Sequence, residues 1–128
     1  MIVLDASVLI AHLDAKDAHH SRASALLNDL ADVPMAASPI SLAEVLVGPA
    51  RAGQLDRATV ALRQLDVTSV GFDQDSPVRL AELRAGTRLT MPDCCVLLAA
   101  EQTQGSLATF DDHLASTARE RGFRLRDR

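Results

Sequence analysis

The chain has 128 residues, of which 48% are hydrophobic and 23% charged, and its formal net charge is −4. This composition is typical of one globular domain and excludes a disordered chain. No apolar run approaches the ~20 residues of a membrane-spanning helix. The first residues lack the basic segment of a signal peptide, so we expect a cytoplasmic protein.

Short apolar segments alternate with segments of helical periodicity along the whole chain. Strands are predicted at residues 1–5, 34–38, 67–72 (a strand or an extended connection), 106–110 and 123–125. Helices are predicted at residues 6–14, 17–30, 41–52, 54–65, 76–86, 93–104 and 112–121. Gly48-Pro49 is expected to bend the third helix or end it early. The alternation predicts a single α/β domain over residues 1–128, in which a mainly parallel sheet of four to five short strands lies between two layers of helices.

The cysteines and histidines offer no pattern typical of a zinc site. Cys94 and Cys95 are adjacent, which is poor geometry for a disulfide, and they begin an apolar helical segment. We therefore expect them to be buried, unpaired residues of small size. No C-x-x-C pair or spaced histidine pair is present. The four histidines, His12, His19, His20 and His113, are predicted to be surface or helix residues rather than general bases.

Four carboxylates occupy places where an apolar segment gives way to the start of a predicted helix. They are Asp5, Glu44, Asp93 and Asp111. The carboxyl ends of parallel strands meet at one edge of a sheet, and Asp5 and Asp111 each follow a predicted strand. If the four acids converge there, the pocket repels itself unless a divalent cation is bound. A cation held by carboxylates is typical of phosphodiester hydrolysis.

Each acid also has a purely structural interpretation as a helix cap. Ser41-x-x-Glu44 matches a capping box, and the three aspartates are suited to N-cap or first-turn positions. Capping explains Asp5 and Asp111 less well, because each directly follows an apolar strand. A buried carboxylate is costly unless it is paired or metal-bound, and neither position has an obvious basic partner in the local sequence.

These segments together resemble a known family over the full length of the chain. The segments are Met1-Ile2-Val3-Leu4-Asp5-Ala6-Ser7, Ser41-Leu42-Ala43-Glu44-Val45, Arg88-Leu89-Thr90-Met91-Pro92-Asp93 and Leu107-Ala108-Thr109-Phe110-Asp111. In order and spacing the chain resembles a PIN domain of the VapC toxin type, the ribonuclease half of a bacterial toxin–antitoxin pair. It departs from the family pattern at Cys94-Cys95, where alanine is more usual. Asp112 duplicates the acid at Asp111 and leaves the fourth carboxylate open, with Asp111 favoured.

The resemblance implies a divalent-metal-dependent RNA endonuclease that hydrolyses a phosphodiester bond with metal-activated water. Asp5 and Asp93 would be the main ligands of Mg²⁺ or Mn²⁺. Glu44 and Asp111 would complete the acidic pocket directly or through water. The accessory residues implied are hydroxyl or acidic groups beside these four, namely Ser7, Thr109 and Asp112.

Recognition of RNA is expected to depend on phosphate contacts, because the chain has three phenylalanines and no tryptophan or tyrosine on which bases might stack. Arginine accounts for every basic residue except Lys16 and binds phosphate in a forked geometry. The phosphate-binding candidates are Arg51, Arg57, Arg88 and the C-terminal Arg119, Arg121, Arg124, Arg126 and Arg128. The alternative for that C-terminal group is a solvated helix end.

The resemblance also implies two protein partners, a second copy of the chain in a homodimer and a small antitoxin. Six apolar residues in the middle of the chain are candidates for an interface, although burial in the core is the alternative. They are Leu42, Val45, Leu46, Val60, Leu62 and Leu65.

Two further functions compete with the nuclease. An aspartate-dependent phosphatase or phosphorelay receiver also places acids at strand ends. However, position 7 holds serine instead of a second aspartate, and the chain has no lysine late in the fold. The other alternative is a non-catalytic PIN-fold binding module, against which the complete set of four acids argues.

Overall fold

The computed structural model describes residues 1–126, within which four strands alternate with seven helices. The strands are β1 (Ile2–Leu4), β2 (Met35–Ala37), β3 (Val67–Ser69) and β4 (Ser106–Ala108). The helices are α1 (Ala6–Leu13), α2 (His20–Asp29), α3 (Pro39–Arg51), α4 (Leu55–Leu65), α5 (Ser76–Gly86), α6 (Met91–Thr103) and α7 (Asp112–Glu120). The predicted α/β class is confirmed.

The sheet is parallel and has the strand order β3-β2-β1-β4. The chain therefore moves outward from β1 through β2 to β3 and later returns to the other side of β1. In parallel α/β sheets, a crevice opens at the carboxyl ends of two strands where the order reverses in this way. Here those strands are β1 and β4, whose register pairs Leu4 with Ala108. Residues that follow Leu4 and Ala108 thus become neighbours at this crevice.

Two hydrophobic cores cover the two faces of the sheet and give the predicted three layers. Successive strand residues point to opposite faces. Ile2 and Leu4 accordingly pack in the core beneath α1 and α2. Val3 packs with α6 in the second core, which also contains Leu107 of β4. Helix α6 contacts β1, β2 and β4, and its residues from Cys94 to Ala100 are all buried. The cysteines are free, as predicted.

Helix α3 differs from the prediction at both ends. Ser38 is its N-cap and accepts a hydrogen bond from the Ile40 amide, while Pro39 occupies the first turn, where proline fits because its missing N–H would have no partner. Of the two effects predicted for Gly48-Pro49, the early end is absent, since the helix continues to Arg51 with Pro49 inside it. The helix as a whole packs against α1, α4 and α6, and packing of this kind can outweigh local propensity.

The predicted last strand at residues 123–125 is reduced to a single parallel bridge between Leu107 and Leu125. Helices α2 and α6 start at His20 and Met91 rather than at residues 17 and 93. No helix within residues 1–126 is long and apolar enough to cross a membrane.

The six apolar candidates for an interface are mostly internal. Val45 is buried, and Leu42, Leu62 and Leu65 pack against the first core. Leu46 is half-buried, and Val60 alone among the six is largely exposed. The core alternative therefore applies to most of the set.

Candidate active site

Asp5 lies at the carboxyl end of β1, in the crevice between β1 and β4, and is only 7% exposed. It occupies the N-cap position of α1, yet its side chain makes no capping hydrogen bond. Its Oδ2 atom instead accepts hydrogen bonds from the hydroxyls of Ser7 at 2.8 Å and Thr109 at 2.7 Å. No basic side chain within residues 1–126 forms an ion pair with it. The capping alternative therefore does not explain this buried carboxylate.

The two hydroxyls beside Asp5 also bind the backbone that follows β4. The Phe110 amide donates to Ser7 Oγ at 3.0 Å, and the Asp111 amide donates to Thr109 Oγ1 at 3.0 Å. Because each hydroxyl accepts an N–H and donates to Asp5, the directions of both hydroxyl protons are fixed. This network satisfies Asp5 Oδ2 and leaves Oδ1 without a hydrogen bond within the described chain. Ser7 and Thr109 thus both lie against the Asp5 carboxylate.

Glu44 lies in the second turn of α3, because the helix begins five residues before it at Pro39. The capping-box interpretation of Ser41 and Glu44 is therefore wrong. Ser41 is buried, and within the described chain its hydroxyl has no hydrogen-bond partner. Burial raises the pKa of Glu44, and the negative charges of Asp5 and Asp93 raise it further. Three of the four predicted acids thus act on one another electrostatically.

Asp93 lies in the first turn of α6, where Thr90 is the N-cap and accepts a hydrogen bond from the Asp93 amide at 3.4 Å. Burial raises the pKa of the Asp93 carboxyl, and the charges of Asp5 and Asp111 raise it further. A hydrogen bond with Thr90 and the nearby imidazole of His113 lower the pKa by less. A raised pKa from like charges means that the ionised pocket repels itself.

Asp111 differs from the other acids because it does cap a helix. Its Oδ1 atom accepts hydrogen bonds from the amides of His113 at 2.9 Å and Leu114 at 3.1 Å, at the start of α7. The capping alternative is correct for this residue, although its charge still acts on Asp93. Asp112 is the exposed first residue of α7, and no effect of its charge on Glu44 or Asp93 is resolved.

The residues present suit a hard divalent cation in their chemistry. Mg²⁺ and Mn²⁺ prefer carboxylate oxygens, and a buried Asp5 among acids of raised pKa lacks a compensating positive charge. Within residues 1–126, however, no three acidic, histidine or cysteine side chains are close enough in their present rotamers to hold one ion together. A bound ion would therefore require acidic side chains to turn inward or to bind through water.

The predicted phosphate-binding arginines divide between different parts of the surface. Arg88 follows α5 and lines a cavity of about 670 Å³ between α5 and α7, together with Arg121. Arg51 ends α3 and Arg57 lines a smaller cavity beside Leu13, away from the acids. Arg124 donates to the Gln104 carbonyl. The other two described candidates, Arg119 and Arg126, are exposed, and Arg128 lies outside the described residues.

Two features of the site were missed by the sequence analysis. His113 is an exposed residue of α7, as predicted, but its effect in lowering the pKa of Asp93 was not predicted; its position two residues after Asp111 was the available signal. Phe110 packs on the other side of the crevice, where the Arg22 guanidinium lies 4.3 Å from its ring centre and the His19 ring 5.4 Å away. No local sequence pattern predicts this contact between α2 and the end of β4.

A family model of the PIN domain matches residues 2–120. The chain therefore belongs to the PIN domain family, and the predicted membership is confirmed.

Solved structures with the same fold come from toxin–antitoxin systems. A toxin–antitoxin complex from Klebsiella pneumoniae is 25% identical, with a TM-score of 0.70 over 90% of this chain and 91% of that chain. VapC20 of Mycobacterium tuberculosis, described as a toxin that cleaves the sarcin–ricin loop, is 18% identical, with a TM-score of 0.79 over 100% of both chains. VapBC2 of Rickettsia felis, bound to promoter DNA, is 19% identical, with a TM-score of 0.74 over 99% of this chain and 98% of that chain. No curated protein matches the sequence.

Proposed function

We propose that this PIN domain is a divalent-metal-dependent RNA endonuclease and the toxin of a toxin–antitoxin pair. The observation that carries the proposal is the buried carboxylate of Asp5, which has no basic partner within residues 1–126 and faces Glu44 and Asp93. A fold gains nothing in stability from such an arrangement, so its retention is best explained by a ligand that supplies positive charge.

The proposed roles follow from the surroundings of each residue. Asp5 and Asp93 would hold Mg²⁺ or Mn²⁺, and Glu44 would complete the acidic pocket from α3. Ser7 and Thr109 position Asp5, since both hydroxyls donate to its Oδ2 and leave Oδ1 available. One oxygen of Asp111 caps α7, and the other has no hydrogen-bond partner within residues 1–126, so Asp111 would contribute through water or through its charge.

When bound, the ion would lower the pKa of a water molecule and neutralise charge on the phosphate during hydrolysis. The protein residues orient and shield this chemistry. The crevice at the ends of β1 and β4 lies above two packed cores, so its floor is rigid. No side-chain nucleophile is required, which agrees with the placement of Cys94 and Cys95, whose thiol pKa values are raised by burial.

Cleavage of a mixed pool of cellular RNA tests the activity directly. The purified chain should cut RNA with Mg²⁺ or Mn²⁺ and should stop when EDTA is added. Asp5→Asn and Asp93→Asn should remove cleavage, whereas Asp56→Asn, an exposed acid in the first turn of α4, should leave it unchanged. If no metal supports cleavage, the enzyme proposal is wrong and a non-catalytic PIN-fold binding module takes its place.

The toxin proposal rests on the structures of similar fold, several of which contain an antitoxin partner. Induced expression of the chain should arrest bacterial growth, and coexpression of a small protein encoded beside its gene should restore it. Growth arrest that persists in Asp5→Asn would contradict a nuclease toxin.

A homodimer is proposed as well, and Ile40, Val47, Leu55 and Val60 form exposed apolar parts of α3 and α4 that fit such an interface. Sedimentation of the purified chain tests this state.

A further inference from the structure

A cavity of about 670 Å³ forms a groove between two walls. One wall is the end of α5 and the segment after it, from Ala85 to Arg88, and the other is one face of α7. We call this cavity the α5–α7 groove. Its volume is within the ~300–1,000 Å³ of pockets that bind organic ligands, so it has room for part of a nucleotide chain.

The groove carries two arginines, Arg88 and Arg121. Neither Arg88 nor Arg121 forms an ion pair within residues 1–126. The Arg121 side chain reaches across the groove, because a Cβ atom added to Gly86 would lie 3.7 Å from its Nη1 atom. The remaining polar lining comes from Thr87, His113, Ser116, Thr117 and Glu120. When His113 is neutral, the charged lining residues are Arg88, Arg121 and Glu120, so the groove is net positive. The protein as a whole has a net charge of −4.

The groove opens beside the candidate active site. His113 lines the groove and lies two residues after Asp111, the N-cap of α7. Arg88 lines the groove two residues before Thr90, the N-cap of the helix whose first turn contains Asp93. A chain molecule with regularly spaced negative charges is able to place one phosphate at the acids and others along the arginines. Single-stranded nucleic acid has this chemistry, and a cation-bound pocket followed by a basic groove matches its backbone.

We propose that the α5–α7 groove binds the phosphate backbone of single-stranded RNA next to the bond that is cut, through Arg88 and Arg121. This inference rests on the proposed nuclease function and assigns the direction in which the substrate leaves the acidic pocket. It separates the arginine candidates into two classes. Arg88 and Arg121 contact the substrate, whereas Arg51 and Arg57 do not.

Binding of a short fluorescent oligouridine, followed by anisotropy in Mg²⁺, tests the groove without cleavage when every variant also carries Asp5→Asn. Arg88→Glu and Arg121→Glu should each weaken binding on the order of 5–10-fold. Arg63→Glu, an equal charge reversal on the exposed last turn of α4, should change it less than about 2-fold. The double variant Arg88→Gln/Arg121→Gln should reduce the slope of log K against log salt by about 1.4.

Glu120→Gln provides a test that misfolding cannot imitate. It removes a negative charge from the groove wall and should strengthen binding by roughly 2-fold. Thermal melts of every variant establish that the fold is retained. The groove proposal is overturned if the Asp5→Asn chain does not bind the oligonucleotide, or if reversal at Arg88 and Arg121 weakens binding no more than reversal at Arg63.

The outcomes that contradict the groove proposal differ from those that contradict the nuclease proposal. A chain that binds through Arg88 and Arg121 but cuts no RNA with any metal supports the groove and contradicts the enzyme. A chain that cuts RNA while the groove variants bind as tightly as the parent contradicts the groove alone.

Discussion

The ends of β1 and β4 lie side by side in the sheet, yet the carboxylates that follow them are held in different ways. Asp5 makes no capping hydrogen bond and receives two hydroxyl donors on one oxygen. Asp111 uses one oxygen to accept two amides at the start of α7. The same sequence pattern, an acid between a buried strand and a helix, therefore produces a group available to a ligand in one case and a helix cap in the other.

The largest expected effect is on RNA cleavage, and its size should differ between Asp5 and Asp111. Asp5→Asn should lower kcat/KM for RNA cleavage by about 10³-fold or more, because loss of ion binding removes several kcal/mol of transition-state stabilisation. Asp111→Asn should lower it by only roughly 10–100-fold, since asparagine keeps the cap and removes one peripheral charge. Initial rates on a single RNA give the ratio. Equal losses in the two variants would place Asp111 among the direct ligands.

Thr109→Val tests the hydroxyl network that joins the two strand ends. Valine has nearly the same shape but leaves Asp5 with one donor fewer and the Asp111 amide without its acceptor. The free energy of unfolding should fall by roughly 1–3 kcal/mol, and cleavage should fall by about 10–100-fold. Urea titration and cleavage rates measure the two effects. Thr59→Val, which removes a hydroxyl bound only to the Leu55 carbonyl, is the control and should cost far less.

Much of this site follows from the sequence, and the reason is the parallel sheet. Apolar segments indicated the strands, and the strand ends of a parallel sheet share one edge, so Asp5 and Asp111 were predicted to lie at that edge. The pairing of β1 with β4 agrees with this placement. The alternation of residues along β1 also accounts for the two cores. The parts that were wrong depend on where a helix begins. Because α3 starts at Pro39, Glu44 is in its second turn rather than in a capping box with Ser41.

Contacts between elements that are distant in the sequence could not be predicted from local sequence patterns. Nothing in the sequence around Phe110 indicates that Arg22 and His19 pack on its ring. The choice between Arg88 and Arg57 as phosphate ligands likewise depends on how α5 and α7 are placed, which periodicity does not specify.

Asp111→Ala should reduce stability by about 1 kcal/mol, because two amides at the start of α7 lose their acceptor. Asp112→Ala, at the exposed next position, should change it by less than about 0.5 kcal/mol. Urea denaturation of both variants without metal makes the comparison. An equal cost at both positions would mean that the cap contributes little and that Asp111 is as free as Asp5.

The smallest expected effect is on stability and comes from the repulsion among the acids. It is measured in the absence of metal. A carboxyl whose pKa is higher in the folded chain than in the unfolded chain destabilises the fold when ionised, and Asp93 is such a group. Asp93→Asn should therefore raise stability at neutral pH by on the order of 0.5–1 kcal/mol, or a Tm increase of roughly 2–4 °C. The penalty is fully present above the folded-state pKa and is lost as pH falls towards the ordinary aspartate value of ~3.9.

The difference in Tm between Asp93→Asn and the parent, measured in EDTA, should thus shrink on acidification. In Mg²⁺ at neutral pH its sign should reverse, because the ion stabilises only the chain that binds it. A difference in Tm that is independent of both pH and Mg²⁺ would show that Asp93 neither interacts electrostatically with Asp5 and Asp111 nor binds the ion.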